Sequence, residues 1–579
     1  MENDISQTKD SLQQFDSSDK SPSGTLAVLD EEYSSFWQGP GLNEMAAELG
    51  LREKRFVAID KEQAAALIKV FYLIQGRGRP YLTPTPPAIL RDALSSPDNV
   101  HEKAYLVLIY GALLTEACLD AKYSQTTRTQ LRWNLRLAID DARLLLEPSD
   151  LNIQALMILA FHVQEVTTPS LSWMVFSTIC RMLQALGIDL RNLEPEVRER
   201  RIMLFWTFNA IDKNLAVIFG RPPALHNSTG ANVPTLPVHK LMAYRPHQVG
   251  KDGTPNSFQS TYGAHFLYFL HRSSEVLTEI WSCLFEDSSK FDSAREKLDE
   301  WHQKMISTLE ACLVAEQPFL DEEEQTSMRL GIQYQQFQYY YYTVLLIRSR
   351  PALQEACISS AQQALFSLED LVSDSSEVYN GVIWVLLYCP FTPFFILFGQ
   401  IISTGSNSSS RQSLKAMESM SSFLQQMESR HPQAAKLRTI AVTFVQYAQQ
   451  IFARPSTTTP ERVHAARTES TPSLSSGVMT ADTTPDALLT LNPLQAHNTH
   501  QQHSQPLLDL FNDPAMQDLS MDMDFWLPNN DAAFQSDALS DGMGGTLAGG
   551  RTNNDAYGFF ADSNFDWLSW DSMTDMTMQ

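Results

Sequence analysis

Residues 129–146 read TQLRWNLRLAIDDARLLL. Leu131, Leu135, Ile139, Ala142 and Leu146 recur at helical spacing on one stripe, while Arg132, Arg136, Asp140 and Arg143 fall off it. Apolar residues on one face and charges on the other are what a surface helix requires. Pro148-Ser149-Asp150 then stops that helix and caps the next, 151–166. Similar stretches recur at 102–119, 171–186, 197–218, 262–285, 292–314, 326–349, 352–371, 380–402, 411–428 and 433–453. Alternating strand patterns and hairpin turns are scarce. The pattern predicts an all-α fold, one large helical domain over residues 36–453. It shows no fixed period of the kind that marks a solenoid.

The flanks differ in composition. Residues 1–35 are polar and aperiodic, and the first 50 residues hold only Lys9 and Lys20 against ten acidic residues, so the leader reads as solvated and not as a DNA-gripping arm. Residues 454–504 form a Ser/Thr/Pro linker with a Gln/His patch. Residues 505–579 stand apart, with thirteen Asp against the single Arg551. That gives −12, half of the chain's net charge of −24. A chain this acidic does not coat nucleic acid by bulk electrostatics, which needs clustered Lys and Arg.

The same tail carries ten aromatic residues. In MDMDFWLP (521–528) and NFDWLSWD (564–571), Asp alternates with Phe525, Trp526, Leu527, Phe565, Trp567, Leu568 and Trp570. Acidic neighbours keep such side chains solvated and available for an apolar groove on a partner. This is the composition of an acidic-hydrophobic activation segment, and it predicts helix-in-groove anchoring to coactivator proteins. The plainer reading is a tail that docks on its own domain.

Other candidates have plain readings. Arg198-Glu199-Arg200-Arg201, like Arg52-Glu53-Lys54-Arg55, has the composition of an import patch, but it precedes Ile202 to Trp206 and reads as the polar first turns of a buried helix. His497, His500 and His503 lie in a Gln/His run without carboxylate or Cys, and His162 and Glu165 make a lone pair one turn apart. The six cysteines, Cys118, Cys180, Cys283, Cys312, Cys357 and Cys389, are too sparse for a disulfide scaffold and make no C-x-x-C spacing. They read as free thiols of a reducing compartment. Residues 382–402, VIWVLLYCPFTPFFILFGQII, are long enough to span a bilayer. Pro390 and Pro393 interrupt them and no basic cluster flanks them, so they read as buried core helices and no membrane partner is expected. Phosphate-binding, nucleophile-elbow, zinc-protease and dinucleotide motifs are absent; Gly76-Arg77-Gly78-Arg79-Pro80 reads as a loop. Neither an enzyme nor a resident cofactor is expected.

Several separated stretches carry a resemblance. Arg181 to Ile188 looks like R-x-A-x-x-L-G-L, with Gly187 in place. Arg200, Arg201 and Trp206, then Asp212-Lys213, then Gly220-Arg221-Pro222, look like RR-x-x-W-W … D-R … G-R-P. Val233 to Pro237, Tyr341 to Pro351 and Pro390 to Gly399 follow in the same order. Over roughly residues 70–450 the chain resembles the fungal-specific transcription factor regulatory domain, the helical region downstream of a binuclear zinc cluster. The resemblance implies a nuclear transcriptional regulator whose helical domain governs the tail, with a second copy of the chain and a small-molecule effector as further partners. Beside it stand physical expectations: Gly187 ends a helix, Phe205 and Trp206 bury large area, and Asp212 pairs with Arg221.

One departure bears on DNA recognition. The family reads DNA through a six-cysteine module with two zinc ions, whereas the first cysteine here is Cys118, inside a helical pattern. Promoter DNA is therefore reached through a DNA-binding partner, or directly by a zinc cluster lying upstream of this sequence. The reading is an activator of a metabolic or secondary-metabolite gene set. The alternative is an effector sensor or scaffold without transcriptional output.

Overall fold

The computed structural model describes residues 40–77, 81–119, 122–163, 169–187, 193–226, 233–247, 258–371, 383–428 and 431–453. Among them there are helices and turns and no strands. The expectations for residues 1–35, the histidines at 497, 500 and 503, Glu165 and the whole tail lie outside the described residues.

The first helices are α1 (Leu42–Glu48), α2 (Lys61–Arg77), α3 (Pro87–Ser95), α4 (Lys103–Leu119), α5 (Gln125–Ile139), α6 (Arg143–Leu146) and α7 (Asp150–His162). Helix α4 is apolar nearly all round, and residues 106–110 and 112–114 are buried. It packs on α2, α3, α5 and α7. At Gly111 a Cβ would meet Ile158 Cγ2 of α7 at 2.9 Å, so glycine permits the close crossing. Two carboxamides stitch irregular backbone to these helices. Asn134 accepts from Val57 N–H and donates back to Val57 C=O, at 2.8 and 2.7 Å. Gln154 accepts from Thr83 N–H at 2.7 Å.

Then follow α8 (Pro169–Ala185), α9 (Pro195–Phe219), α10 (Tyr262–Phe285), α11 (Phe291–Glu316), α12 (Glu322–Ile347), α13 (Gln354–Asp370), α14 (Ile383–Tyr388), α15 (Phe391–Thr404), α16 (Ser408–Met427) and α17 (Pro432–Ala453). Packing runs from neighbour to neighbour: α8 on α9, α9 on α10, α10 on α11, α11 on α12 and α12 on α13, with α13, α15 and α16 mutually packed. Helix α9 and the run 385–404 are apolar and long enough to cross a membrane by length and composition, and both are buried inside the protein.

The structure corrects five expectations. The stretch 129–146 is two helices, broken at residues 140–142, because the Asp141 carboxylate accepts the Arg143 N–H at 3.0 Å and holds its guanidinium at 2.6 Å. After that turn the phase shifts, so Leu144 is buried while Leu146 is 78 % exposed. The stretch 380–402 divides at Pro390, which caps α15. Helix α12 starts earlier than expected, at a capping box in which Asp321 and Glu324 exchange backbone bonds. Gly76 and Arg77 end α2 and are not loop, and α1 to α3 carry no counterpart among the predicted helices. Ser149 does cap α7, accepting the Asn152 N–H at 3.1 Å. None of the six cysteines forms a disulfide, and all but Cys118 are buried.

Candidate functional site

Of the motif residues, Asp212, Gly220, Arg221 and Pro222 lie together at the C-terminal end of α9. Gly220 takes φ +62°, the left-handed conformation that ends a helix, and the chain folds back along it through Arg221 to Leu225. Two turns back, the Asp212 carboxylate accepts the N–H groups of Ala224 and Leu225, each at 2.8 Å. Lys213, 1 % exposed, donates Nζ–H to the Leu225 carbonyl and stands 3.6 Å from Asp212. Gln184 of α8 donates to the Ala224 carbonyl at 3.1 Å. Acid, base and glycine at this spacing thus form a lock that fastens one loop to one helix. Burial pushes the Asp212 carboxyl above its usual range and the Lys213 ammonium below its own. The expected Asp212–Arg221 pair is replaced by this arrangement: Arg221 is exposed, and its carbonyl accepts from Trp281 Nε1 at 3.1 Å.

The other motif residues take separate structural places. Arg181 and Pro222 are exposed, and Gly187 ends α8 at φ +81°. Arg201 grips Asp150 at the start of α7 with two bonds, 3.1 and 2.8 Å, which ties α9 to α7. Arg200 is half-buried in the first turns of α9, and Glu199 pairs with Lys240 at 2.7 Å. These charges are the polar entry of a buried helix, as expected of residues 198–201. Trp206 is buried and donates Nε1–H to the Pro234 carbonyl at 3.0 Å, with Phe205 edge-on against it.

Sequence reasoning missed two buried polar networks. In the first, Ser260 donates to Glu316 Oε2, accepts the Tyr262 N–H at 3.2 Å, and meets His247 Nε2 at 2.8 Å. Glu316 also accepts from the N–H and hydroxyl of Thr261, both at 2.7 Å. Since the Ser260 hydrogen points to Glu316, His247 is the donor to Ser260, so it is the Nε2–H tautomer. In the second, His271 Nε2 meets Thr207 Oγ1 at 3.0 Å, and Thr207 bonds Tyr81 at 3.3 Å. Burial lowers His247 to about 4 and His271 to about 3. Lone histidines and serines give no periodic signal, so nothing in the sequence pointed to either network. Neither arrangement places a carboxylate behind a histidine that activates a nucleophile. Among the described residues no three His, Cys, Asp or Glu gather as metal ligands.

The profile of the fungal specific transcription factor domain matches residues 86–313, from the start of α3 into the last turn of α11. A protein of Claviceps purpurea called "Transcriptional regulator" is 32 % identical over 436 residues, covering 74 % of this chain and 69 % of its own length. The chain belongs to the fungal specific transcription factor domain family. Two uncharacterized transcriptional regulatory proteins of Schizosaccharomyces pombe are similar at 22 and 23 % identity, each over 60 % of this chain. The matched parts make up 57 and 60 % of those two proteins. No solved structure matches the chain. Membership in a fungal specific transcription factor domain family places the chain in transcription regulation. The α9 lock and the Arg201–Asp150 tie lie within the matched region, whereas residues 341–351 and 390–399 lie beyond it.

Proposed function

We propose that this chain is a nuclear transcriptional activator whose helical domain presents the acidic-aromatic tail 505–579 to coactivator surfaces. The observation that carries the reading is the tail's composition, thirteen Asp interleaved with ten aromatics, in a chain of this family. Phe525, Trp526 and Leu527 form one anchor, and Phe565, Trp567, Leu568 and Trp570 the other. Each would fold a short apolar face into a partner groove, with aspartates on the solvent side. The mechanism is recruitment and involves no chemical step. Promoter DNA is reached through a DNA-binding partner, or directly through a zinc cluster outside this sequence.

The test is a reporter assay with the chain fused to a heterologous DNA-binding domain. Deleting 505–579, or replacing Trp526, Trp567 and Trp570 with Ala together, is expected to reduce activation about tenfold or more, since buried aromatic anchors dominate such contacts. Unchanged output at equal protein level would exclude the tail as the activating segment.

A further inference from the structure

Where α11 gives way to α12, the surface is apolar: Phe319 is 60 % exposed and Val314 72 %. Ala311, Ala315 and Pro318 beside them are exposed too. A second segment enlarges this surface. Phe258, in the loop before α10, stacks on Phe319 with ring centroids 4.5 Å apart and planes 8° from parallel. The loop is fastened in place, because Ser260 and Thr261 both bond the buried Glu316 carboxylate at the end of α11. Single exposed apolar residues need no explanation, but here two anchored segments hold an aromatic pair at the surface.

The charge around this patch has one sign. Between Lys304 and Arg329 the chain carries six acidic residues and no basic one. Glu316 and Glu324 are buried, which leaves Glu310, Asp321, Glu322 and Glu323 exposed beside the apolar residues. Across the patch, residues 258–271 contain no Lys or Arg, and burial holds His265 below its ordinary value, so it is uncharged at neutral pH. Arg245, beside His247, turns its guanidinium to the Met242 carbonyl at 2.9 Å and answers one of these charges at most. Lys251 and Asp252, outside the described residues, cancel. An acidic rim repels nucleic acid, the chain's own tail with its thirteen Asp, and the same patch on a second copy. It attracts cations, and the face of the Phe319 ring turned away from Phe258 offers one a cation–π seat.

We propose that the patch formed by Phe258, Val314 and Phe319 docks a Lys/Arg-rich amphipathic helix of a different protein. The apolar face of that helix covers Val314 and the phenylalanine pair, and its cations meet Glu310, Asp321, Glu322 and Glu323. The proposal rests on the surface of the helical domain and not on the tail, so its failure leaves the reporter result untouched, and the reverse holds too.

The test titrates the full-length protein into a fluorescein-labelled helical peptide with leucines on one face and lysines on the other, read by anisotropy at physiological salt. Saturable binding is expected. Phe319→Ser should weaken it about fivefold or more, whereas Leu146→Ser, which removes an exposed apolar side chain elsewhere, should leave it unchanged. Should Phe319→Ser lower the melting temperature, Val314→Ser is read in its place, with weaker binding again expected. Replacing Glu322 and Glu323 with Gln together should weaken binding and flatten its salt dependence. No saturable binding overturns the proposal, and so does equal binding by parent and folded variant, which would assign the peptide to the acidic tail. Phe319-dependent binding of a peptide of residues 564–571 would give the patch to the chain's own tail. A dimer that Phe319→Ser dissociates would give it to a second copy, and either result overturns the proposal as well.

Discussion

A methyl group added at Gly263 would sit 2.1 Å from the carbonyl oxygen of Tyr244 and 3.0 Å from Pro246 Cδ. The nearer obstacle is backbone, which cannot swing aside as a side chain can. The close approach seats residues 244–247 on the start of α10, next to the His247–Ser260–Glu316 network. Gly263→Ala is expected to cost about 3 kcal/mol or more, through overpacking against backbone. Thermal unfolding of the variant checks this, and a melting temperature within about 1 °C of the parent would contradict it. The requirement was invisible in the sequence. Gly263 lies inside an uninterrupted helical pattern, and only the return of a distant loop makes glycine necessary there.

At the scale of elements, the sequence was informative where one stretch decides its own structure. Helix α10 runs from Tyr262 to Phe285, the bounds its apolar period predicts. Periodicity failed where a side chain competed with the helix, as Asp141 does by accepting the Arg143 N–H, or where a proline reset the chain, as at Pro390. The motif residues near the end of α9 were legible as a set, but their partners were not. Asp212 bonds backbone N–H groups, which carry no sequence signature. Asp212→Ala removes the acceptor of two N–H groups and leaves Lys213 buried without its counter-charge, a loss of about 3–5 kcal/mol. Pairing Asp212→Leu with Lys213→Met should recover much of that loss, because no buried charge then remains. Urea unfolding of the three proteins reads both effects. A double variant no more stable than Asp212→Ala would show that the backbone bonds, and not the charge pair, hold the loop.

For the whole molecule, the buried histidines set a direction for the dependence of stability on pH. Burial holds His271 at about 3, and His247 and His431 at about 4, against an ordinary value of 6.5. Between these limits the unfolded chain takes up protons that the folded chain refuses. The stabilisation is complete above pH 6.5 and drains away as the pH falls, by about 1.4 kcal/mol per unit for each histidine. Asp212, raised by burial, works the other way and offsets at most one proton. Stability measured by urea unfolding should therefore fall between about pH 6.5 and 4.5, and His271→Phe should remove about one proton from the slope. A flat profile, or a slope unchanged in the variant, would mean that His271 titrates normally in the folded chain.

At this same scale the central claim is that the helical domain and its tail act together at promoters. The composition of the tail was legible at once, because thirteen Asp among ten aromatics is a property of the chain and needs no fold. The measurement that tests the claim most directly is chromatin occupancy of the tagged full-length protein, with the 5′ end of its transcript sequenced alongside. The account predicts occupancy concentrated at a set of promoters whose transcripts fall when residues 505–579 are deleted. The 5′ sequence then tells whether an upstream cysteine-rich segment or a partner reads the DNA. Occupancy indistinguishable from the genomic background would contradict the account and favour a sensor or scaffold without transcriptional output.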